Sequence, residues 1–358
     1  MLSAGAVLRL VREGRLTTRT ELARETELSR STLAERIQSL IALGLVQEIG
    51  GGPSTGGRPP ATLCFNEHAG VVLAADLDEC SCRVAICDLA ANPLAEERFD
   101  VELTVAPDAL LREIEARGAE LLASLGRGAD ELWGIGVGVP APVDVGRGEP
   151  VEPRLMPAWD GFSIPAFFDG RHTVPVLADK HANLMALGEH WTHWRDAEHL
   201  LYVTLGRTVD CGIVHERKVH HGARGAAGDI GHIRVAGHEH VLCRCGNTGC
   251  LEAVLRELLA VPDDATARDA GRVLGEVLAE CINFFNPGVI VVGSDASQQV
   301  LAGAREVTMA RSTPGATRHL RIGASELGAR AGLIGAAVMV IEHVLAPESV
   351  DRAVQRLA

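Results

Sequence analysis

The chain has 358 residues, too many for one ordinary core and suited to two or three domains. Hydrophobic residues make up 47% of it and aromatics only 3%, so a large core is available, built chiefly from Ala, Val and Leu. The net charge of −13 excludes nucleic-acid binding by the bulk of the chain.

That charge is unevenly placed. Residues 1–60 hold eight Arg and six Glu with no Lys or Asp, while the remainder holds 26 basic and 41 acidic residues. Any DNA contact is therefore expected in the N-terminal segment. The opening residues, Met1 to Gly14, read as an amphipathic helix containing Arg9 and Arg12 rather than as a signal peptide. No apolar run reaches membrane-spanning length. Nine Cys, an odd count with three clustered, fits a reducing compartment and a metal site better than a disulfide framework. The sequence thus predicts a cytoplasmic protein with no membrane partner.

In chain order, the first sixty-odd residues predict three helices and a hairpin. Ala6, Val7, Leu10 and Val11 form one helical stripe. Thr18 and Glu21 have capping-box spacing for a second helix carrying Leu22 and Ala23. The segment ETELS at 25–29 is a short turn, and Ser29 caps a third helix whose Leu33, Ile37, Leu40 and Ile41 share a face. Gly44 stops that helix. Leu45, Val46 and Ile49 suggest a strand, and Leu63 and Phe65 its return. Between them GGGPSTGGRPP is a Gly/Pro-rich wing or linker. Residues 1–62 form the expected DNA-binding unit.

The third helix offers Ser31, Thr32 and Glu35 on a polar face, with Arg30 at its start and Arg36 beyond. A helix with short polar side chains at its N-terminal turns suits the major groove. Arg30 and Arg36 are expected at phosphates, with Arg19 and Arg24 as further candidates. Arg58, on a thin Pro-stiffened loop, is expected in a narrow minor groove or on a phosphate.

From about Gly70 apolar runs such as VVLAADL, CRVAICDL, LWGIGVGVP, HLLYVTLG and PGVIVVG alternate with helical segments, which is α/β texture. Two lobes are expected, at 69–180 and 181–329. The C-terminal run LGARAGLIGAAVMVIEHVL reads as a packing helix completing the first lobe at about 330–350. Within the second lobe, GHIRVAGHEHVLCRCGNTGCLE brings together His232, Cys243, Cys245 and Cys250. Three thiols and an imidazole make a closed tetrahedral set, the pattern of structural zinc. Gly246 and Gly249 allow the tight turns that converge the sulfurs. His238 and His240 are alternative sources of the imidazole. The acidic neighbours Asp229, Glu239 and Glu252 argue against a zinc-ribbon DNA reader.

At this segment the chain resembles the ROK family of repressors, open reading frames and sugar kinases. The resemblance rests on Gly231, His232, Cys243, Cys245, Gly246, Gly249, Cys250, Leu251 and Glu252, and continues in GIGVGVPAPVD at 134–144, Trp159, HANLMALGE at 181–189 and NPGVIVVGS at 286–294. An N-terminal winged helix followed by TGGRPP resembles the family's repressor branch. The resemblance implies an actin-like ATPase (ribonuclease H-like) fold of two α/β lobes around a sugar cleft, preceded by a winged helix-turn-helix, in a homodimer or homotetramer.

The departures from the family's kinases carry as much weight. The first phosphate turn, D-x-G-G-T in the kinases, keeps Asp76 but has Asp78, Glu79 and Cys80 where Gly-Gly-Thr stand. The second, G-T-G-x-G-G-G, reads Gly206 to Gly212 with Arg207 and Asp210 in it. The general-base pair Asn-Asp is replaced by Lys180 and His181, and Lys180 is expected to depress the proton affinity of its neighbour. Carboxylates where a polyphosphate should lie are expected to repel it. The sugar-contact positions are Lys180, His181, Asp229, His232 and Glu252. The Lys180–His181 pair predicts a preference for an anionic ligand, such as a phosphosugar or sugar acid. His232 and Glu252 tie this pocket to the zinc loop. The expected function is a DNA-binding regulator, a repressor of operator DNA, with a catalytically dead, sugar-responsive sensor. Its rivals are an active sugar kinase with an added DNA-binding domain, and a regulator controlled by a protein partner.

Overall fold

The structure is a computed structural model that describes residues 2–14, 17–50, 62–293 and 296–357. The wing loop, with Arg58 and most of GGGPSTGGRPP, lies outside the described residues.

The N-terminal head contains α1 (Ala4–Arg12), α2 (Arg19–Thr26) and α3 (Arg30–Ala42), followed by antiparallel β1 (Val46–Ile49) and β2 (Thr62–Phe65). The local chemistry expected of these elements is present. Thr18 and Glu21 form a reciprocal capping box, and the Ser29 hydroxyl accepts from Thr32 N–H. Leu22, Leu33, Ile37 and Leu40 bury the inner faces.

The first lobe consists of β3 (Val71–Leu77), β4 (Ser81–Asp88), β5 (Pro93–Asp100), α4 (Pro107–Ser124), β6 (Leu132–Val139), the short β7 (Val143–Asp144) and β8 (Glu149–Pro150), α5 (Ile164–Phe168) and β9 (Val176–Lys180). Its sheet runs β5-β4-β3-β6-β9, antiparallel up to β3 and parallel beyond it. The second lobe consists of α6 (His181–His193), β10 (His199–Leu205), β11 (Val209–His215), β12 (Lys218–Val219), α7 (Leu251–Leu259), α8 (Asp264–Phe285), β13 (Val289–Val292), α9 (Gln298–Arg311), α10 (Pro314–Thr317) and β14 (Arg321–Ala324). Its sheet runs β12-β11-β10-β13-β14 with the same sequence of antiparallel and parallel pairings. The two lobes are therefore one topology used twice. The central strand β3 is buried along its whole length, which explains its unbroken apolar run.

The chain ends with α11 (Ala331–Val344) and α12 (Pro347–Gln355). The first packs on β3, β6 and β9 and along α6. The second, which the apolar pattern of the sequence did not single out, packs on α1. Its consequence is that the described residues of the head share one core with the lobe. Ala4, Val7, Leu8 and Val11 join Val72, Ala336, Leu345 and Val350 in one continuous apolar cluster. Polar contacts reinforce the joint: Gly5 N–H donates to Asp351 at 2.9 Å, and Arg12 pairs with Glu342 at 2.9 Å. Gly5 is required there by close approach, because a Cβ at that position would lie 2.3 Å from the Pro347 carbonyl oxygen. Among the described residues no single helix is long and apolar enough to cross a membrane.

Gly5→Ala should force α1 off α12 and lower stability by about 1–3 kcal/mol, the usual cost of overpacking. Chemical denaturation of the full chain measures it, and an unchanged midpoint would show that the joint tolerates the methyl group.

Candidate functional site

In open α/β sheets, ligands bind beyond the carboxyl ends of the parallel strands. Here a cavity of about 450 Å³ lies at that edge, between the lobes. The loop after β6 contributes Pro140 to Pro142, and the following segment Glu152 and Arg154. The second lobe contributes Thr204, Asp210, Arg224, Asp229, His232 and Glu252, while Lys180 and His181 stand where β9 passes into α6. The structure thus brings all five sequence-predicted pocket residues together. Glu152, Arg154 and Arg224 were not found by sequence reasoning, since no local pattern distinguishes them from other loop charges.

The expected cationic wall is not there. Lys180 is only 2% exposed, and its ammonium donates to Asp210 Oδ1 at 2.8 Å, Ala227 O at 2.8 Å and Cys211 O at 3.3 Å. An ammonium has three donors, so these partners exhaust it. His181 Nδ1 lies 2.8 Å from Asp76 Oδ1. Burial opposes the imidazolium, but Asp76, Asp78 and Asp210 outweigh it and raise the His181 pKa. This reverses the expected depression by Lys180, because the Lys180 charge is already matched by Asp210. A third pair, His221 Nε2 to Asp179 Oδ2 at 2.7 Å, sits nearby. The cleft wall is therefore charge-balanced, and the preference for anions predicted from Lys180 and His181 loses its basis.

The two phosphate turns are occupied by their own side chains. Asp78 Oδ1 accepts from Cys80 N–H at 2.7 Å and Ser81 N–H at 2.6 Å, and Oδ2 accepts from the Ser81 hydroxyl at 2.6 Å. Burial would raise the Asp78 carboxyl, but these donors win and hold its pKa below the usual range. An ionised carboxylate thus consumes backbone donors of the kind a phosphate would need. Glu79 Oε2 stands 3.3 Å from Arg207 Nε, closing the first turn against the second. The expected simple repulsion by Asp78, Glu79 and Asp210 is corrected accordingly. Each carboxylate has an internal partner, and the obstruction is occupancy of the donors.

Beside the cleft, His232, Cys243, Cys245 and Cys250 present ligand atoms that all lie within 4.8 Å of one another. His232 ends a short turn at Ile230–His232, and Cys250 caps α7. Gly246 and Gly249 adopt φ of +89° and +73°, the left-handed region that the converging loop requires. Cys243 Sγ is 3.6 Å from His232 Nδ1, and Cys245 Sγ is 3.6 Å from Cys250 Sγ. Tetrahedral Zn–S and Zn–N bonds of about 2.3 and 2.0–2.1 Å separate donors by about 3.5–3.8 Å, so these edges fit. His238 and His240 stack on each other instead, at 6.2 Å between ring centroids. While Nδ1 faces the thiols, His232 Nε2 faces the cleft, 3.9 Å from Asp229 Oδ1 and beside Arg154 Nη1. Glu252 is also shared. It accepts from Val209 N–H at 3.3 Å and Arg244 Nη2 at 3.0 Å.

On the head, Arg30, Ser31 and Glu35 are exposed at the start of α3, while Thr32 and Arg36 are half-buried. The hydroxyls of Ser31 and Thr32 lie 2.9 and 2.8 Å from that of Ser29. Arg19, a phosphate candidate, instead pairs with Glu48 of the wing strand at 2.6 Å.

The pattern of the ROK family matches residues 73–258, more than half of the chain, and that of the IclR helix-turn-helix domain matches residues 4–50. The xylose repressor of Caldicellulosiruptor bescii is 28% identical, covering 95% of each chain. The DNA-binding transcriptional dual regulator NagC of Escherichia coli K12 is 28% identical over 96% of this chain and 93% of its own. A crystal structure of a ROK family transcriptional regulator, a homologue of the E. coli MLC protein, superposes with a TM-score of 0.82. That alignment covers 99% of this chain and 98% of the other at 21% identity, a likeness of fold.

The Asp76–His181 pair makes stability depend on pH. A histidine whose folded pKa is raised contributes stability below its unfolded value of about 6.5, and that contribution is lost as pH rises through the folded pKa. Unfolding titrations should show wild type losing more stability than His181→Asn across this window, and parallel curves would count against the pair.

Proposed function

This chain belongs to the ROK family, and from that premise we propose that it is a transcriptional repressor whose kinase-like lobes sense a small neutral sugar without phosphorylating it. The observation that carries the reading is the first phosphate turn, where the Asp78 carboxylate holds the Cys80 and Ser81 amides. Phosphoryl transfer needs a backbone cradle, a metal and a base together. The cradle is filled here, and the base position holds His181 bound to Asp76.

The cleft suits a polyhydroxylated neutral molecule. Asp229, Glu252 and His232 Nε2 supply acceptors and a donor for hydroxyls. Arg154, Lys180, Arg224 and Arg244 share the lining with Glu152, Asp210, Asp229 and Glu252, so it has no excess of either sign. A sugar of the class named in the xylose repressor of C. bescii fits this chemistry. Ligand binding favours one relative position of the lobes, and the shared core between α1, α11 and α12 carries that position to the head. Ser31, Thr32 and Glu35 then read base edges of operator DNA, and Arg30, Arg36 and Arg58 contact backbone or minor groove. The protein acts in the cytoplasm as a homodimer or homotetramer, since paired heads match a two-fold operator.

His232, Cys243, Cys245 and Cys250 hold a structural Zn²⁺, which locks the loop that presents His232 and Glu252 to the cleft. Elemental analysis should find one zinc per chain. Cys245→Ala should lose the metal and lower the unfolding midpoint. Purified wild type without zinc would end this assignment.

The functional reading is tested with operator fragments recovered from a genome-wide binding map. A panel of neutral monosaccharides should contain one that releases the protein from DNA, with sugar acids and phosphosugars weaker. No sugar should provoke ADP release from ATP, and His181→Asp should remain equally inactive. Sugar-dependent ADP release by wild type, abolished in His181→Ala, would instead establish an active kinase.

A further inference from the structure

A second cavity, of about 430 Å³, opens beside the β10–β11 turn and is walled by Gly206, Arg207, Arg244, Arg256, Leu259 and Ala260. Its three guanidiniums come from three separate pieces of chain: the β10–β11 turn, the cysteine loop and α7. Among the described residues, two carboxylates pair with them. Glu252, 6% exposed, lies 3.0 Å from Arg244 Nη2 and 3.8 Å from Arg256 Nη1. Glu79 lies 3.3 Å from Arg207 Nε. Arg244 Nη2 also donates to the Arg207 carbonyl at 2.7 Å, which fixes these two residues relative to each other.

Each guanidinium carries five donors in a rigid fork, and the contacts above engage a minority of them. Three such forks around one hollow, with one positive charge in excess over the paired carboxylates, match a tetrahedral oxyanion. The mixed wall matters too. Leu259 is 40% exposed, so an anion entering here finds an apolar surface beside the charges.

We infer that the Arg207–Arg244–Arg256 cavity binds a phosphate group, and that its occupancy frees Glu252 to accept hydroxyls in the ligand cleft. Arg244 is the link, since it lines both cavities while Glu252 lines the cleft. The buried Glu252 carboxylate and an incoming phosphate compete for the Arg244 and Arg256 charges, which one anion draws away from the other. A phosphate that takes them leaves Glu252 with Val209 N–H and a free oxygen toward the cleft. By reciprocity, a ligand that engages Glu252 strengthens phosphate binding. This coupling rests on the ligand-cleft reading, whereas phosphate binding itself does not.

The test uses the full chain with no sugar present. Inorganic phosphate and glycerol 3-phosphate are each titrated by calorimetry against chloride at matched ionic strength. Saturable binding is expected for at least one of them. Equal affinity assigns free phosphate, and tighter glycerol 3-phosphate assigns a phosphomonoester using the Leu259 wall. Arg256→Gln should weaken binding about tenfold, the loss of one charge-assisted contact. Arg207→Gln combined with Arg256→Gln should abolish it, and Arg112→Gln on α4 should leave it unchanged. Absence of saturable binding, or binding that survives the double substitution, overturns the site. Glu252→Gln removes the competing carboxylate and should tighten phosphate binding several-fold. Unchanged or weaker binding in that variant overturns the coupling.

Discussion

The buried ammonium of Lys180 is the constraint around which the two lobes are arranged. It sits at the end of β9 in the first lobe, and all of its partners belong to the second: the Asp210 carboxylate and the carbonyls of Cys211 and Ala227. Desolvating an ammonium costs several kcal/mol, which is recovered only with good geometry and full satisfaction of its donors. Removing one partner of such a pair costs about 3–5 kcal/mol, because the remaining charge is left uncompensated. The contact therefore tolerates little sliding between β9 and β11. His181 with Asp76 and His221 with Asp179 surround it with two further ties. The floor of the cleft is thus a set of matched charges, and its specificity must come from the groups around its mouth.

That rigidity has a path to α3 of the helix-turn-helix head. His181 opens α6, which runs along α11, and α11 leads into α12, on which α1 is docked. Gly5 with Asp351 and Arg12 with Glu342 hold the docking in register. The apolar cluster that includes α11 is the same one that includes Leu33, Ile37 and Leu40 of α3. Close-packed cores do not deform continuously, so a change in lobe position reaches the head as a displacement of whole elements. The helix packing describes a head mounted on the C-terminal helices.

Much of this was legible in the sequence, and what was not has identifiable physical reasons. Capping residues act within four positions, so Thr18, Glu21 and Ser29 announced their helices correctly. The convergence of His232, Cys243, Cys245 and Cys250 was legible because a metal-ligand set has a recognisable residue type and spacing. The short helix α12 was missed because only Val350 is fully buried in it, too few positions for a clear period. Charge readings failed in a different way. Lys180 and Asp210 lie 30 residues apart, and nothing local shows that one exhausts the other. Read singly, the first predicted an anion-loving wall and the second a repelled phosphate. Paired, they predict neither. The partner of a charge is a tertiary fact, and its identity decides the sign of every inference drawn from it.

The same point explains how a phosphotransfer fold serves as a sensor. In a kinase, binding energy from the sugar is spent on assembling a transition state between two charged turns. Here the backbone donors of the turns are taken: Asp78 holds the amides of its own turn, Asp210 holds the Cys211 amide, and Glu79 reaches Arg207. With no nucleotide to organise, the energy of ligand binding is free to bias lobe position. A ligand moves such an equilibrium only by its differential affinity for the two positions, about 5.5 kcal/mol for a shift from 1:99 to 99:1. A few hydrogen bonds to buried or charged groups, at about 1.5–3 kcal/mol each, supply that amount if they form in one position alone. Asp229, His232 and Glu252 are placed to meet this condition. All three belong to the second lobe and line one cavity with loops of the first, so a hydroxylated ligand that bridged them to Glu152 or Arg154 would be bound fully only when the lobes are correctly spaced.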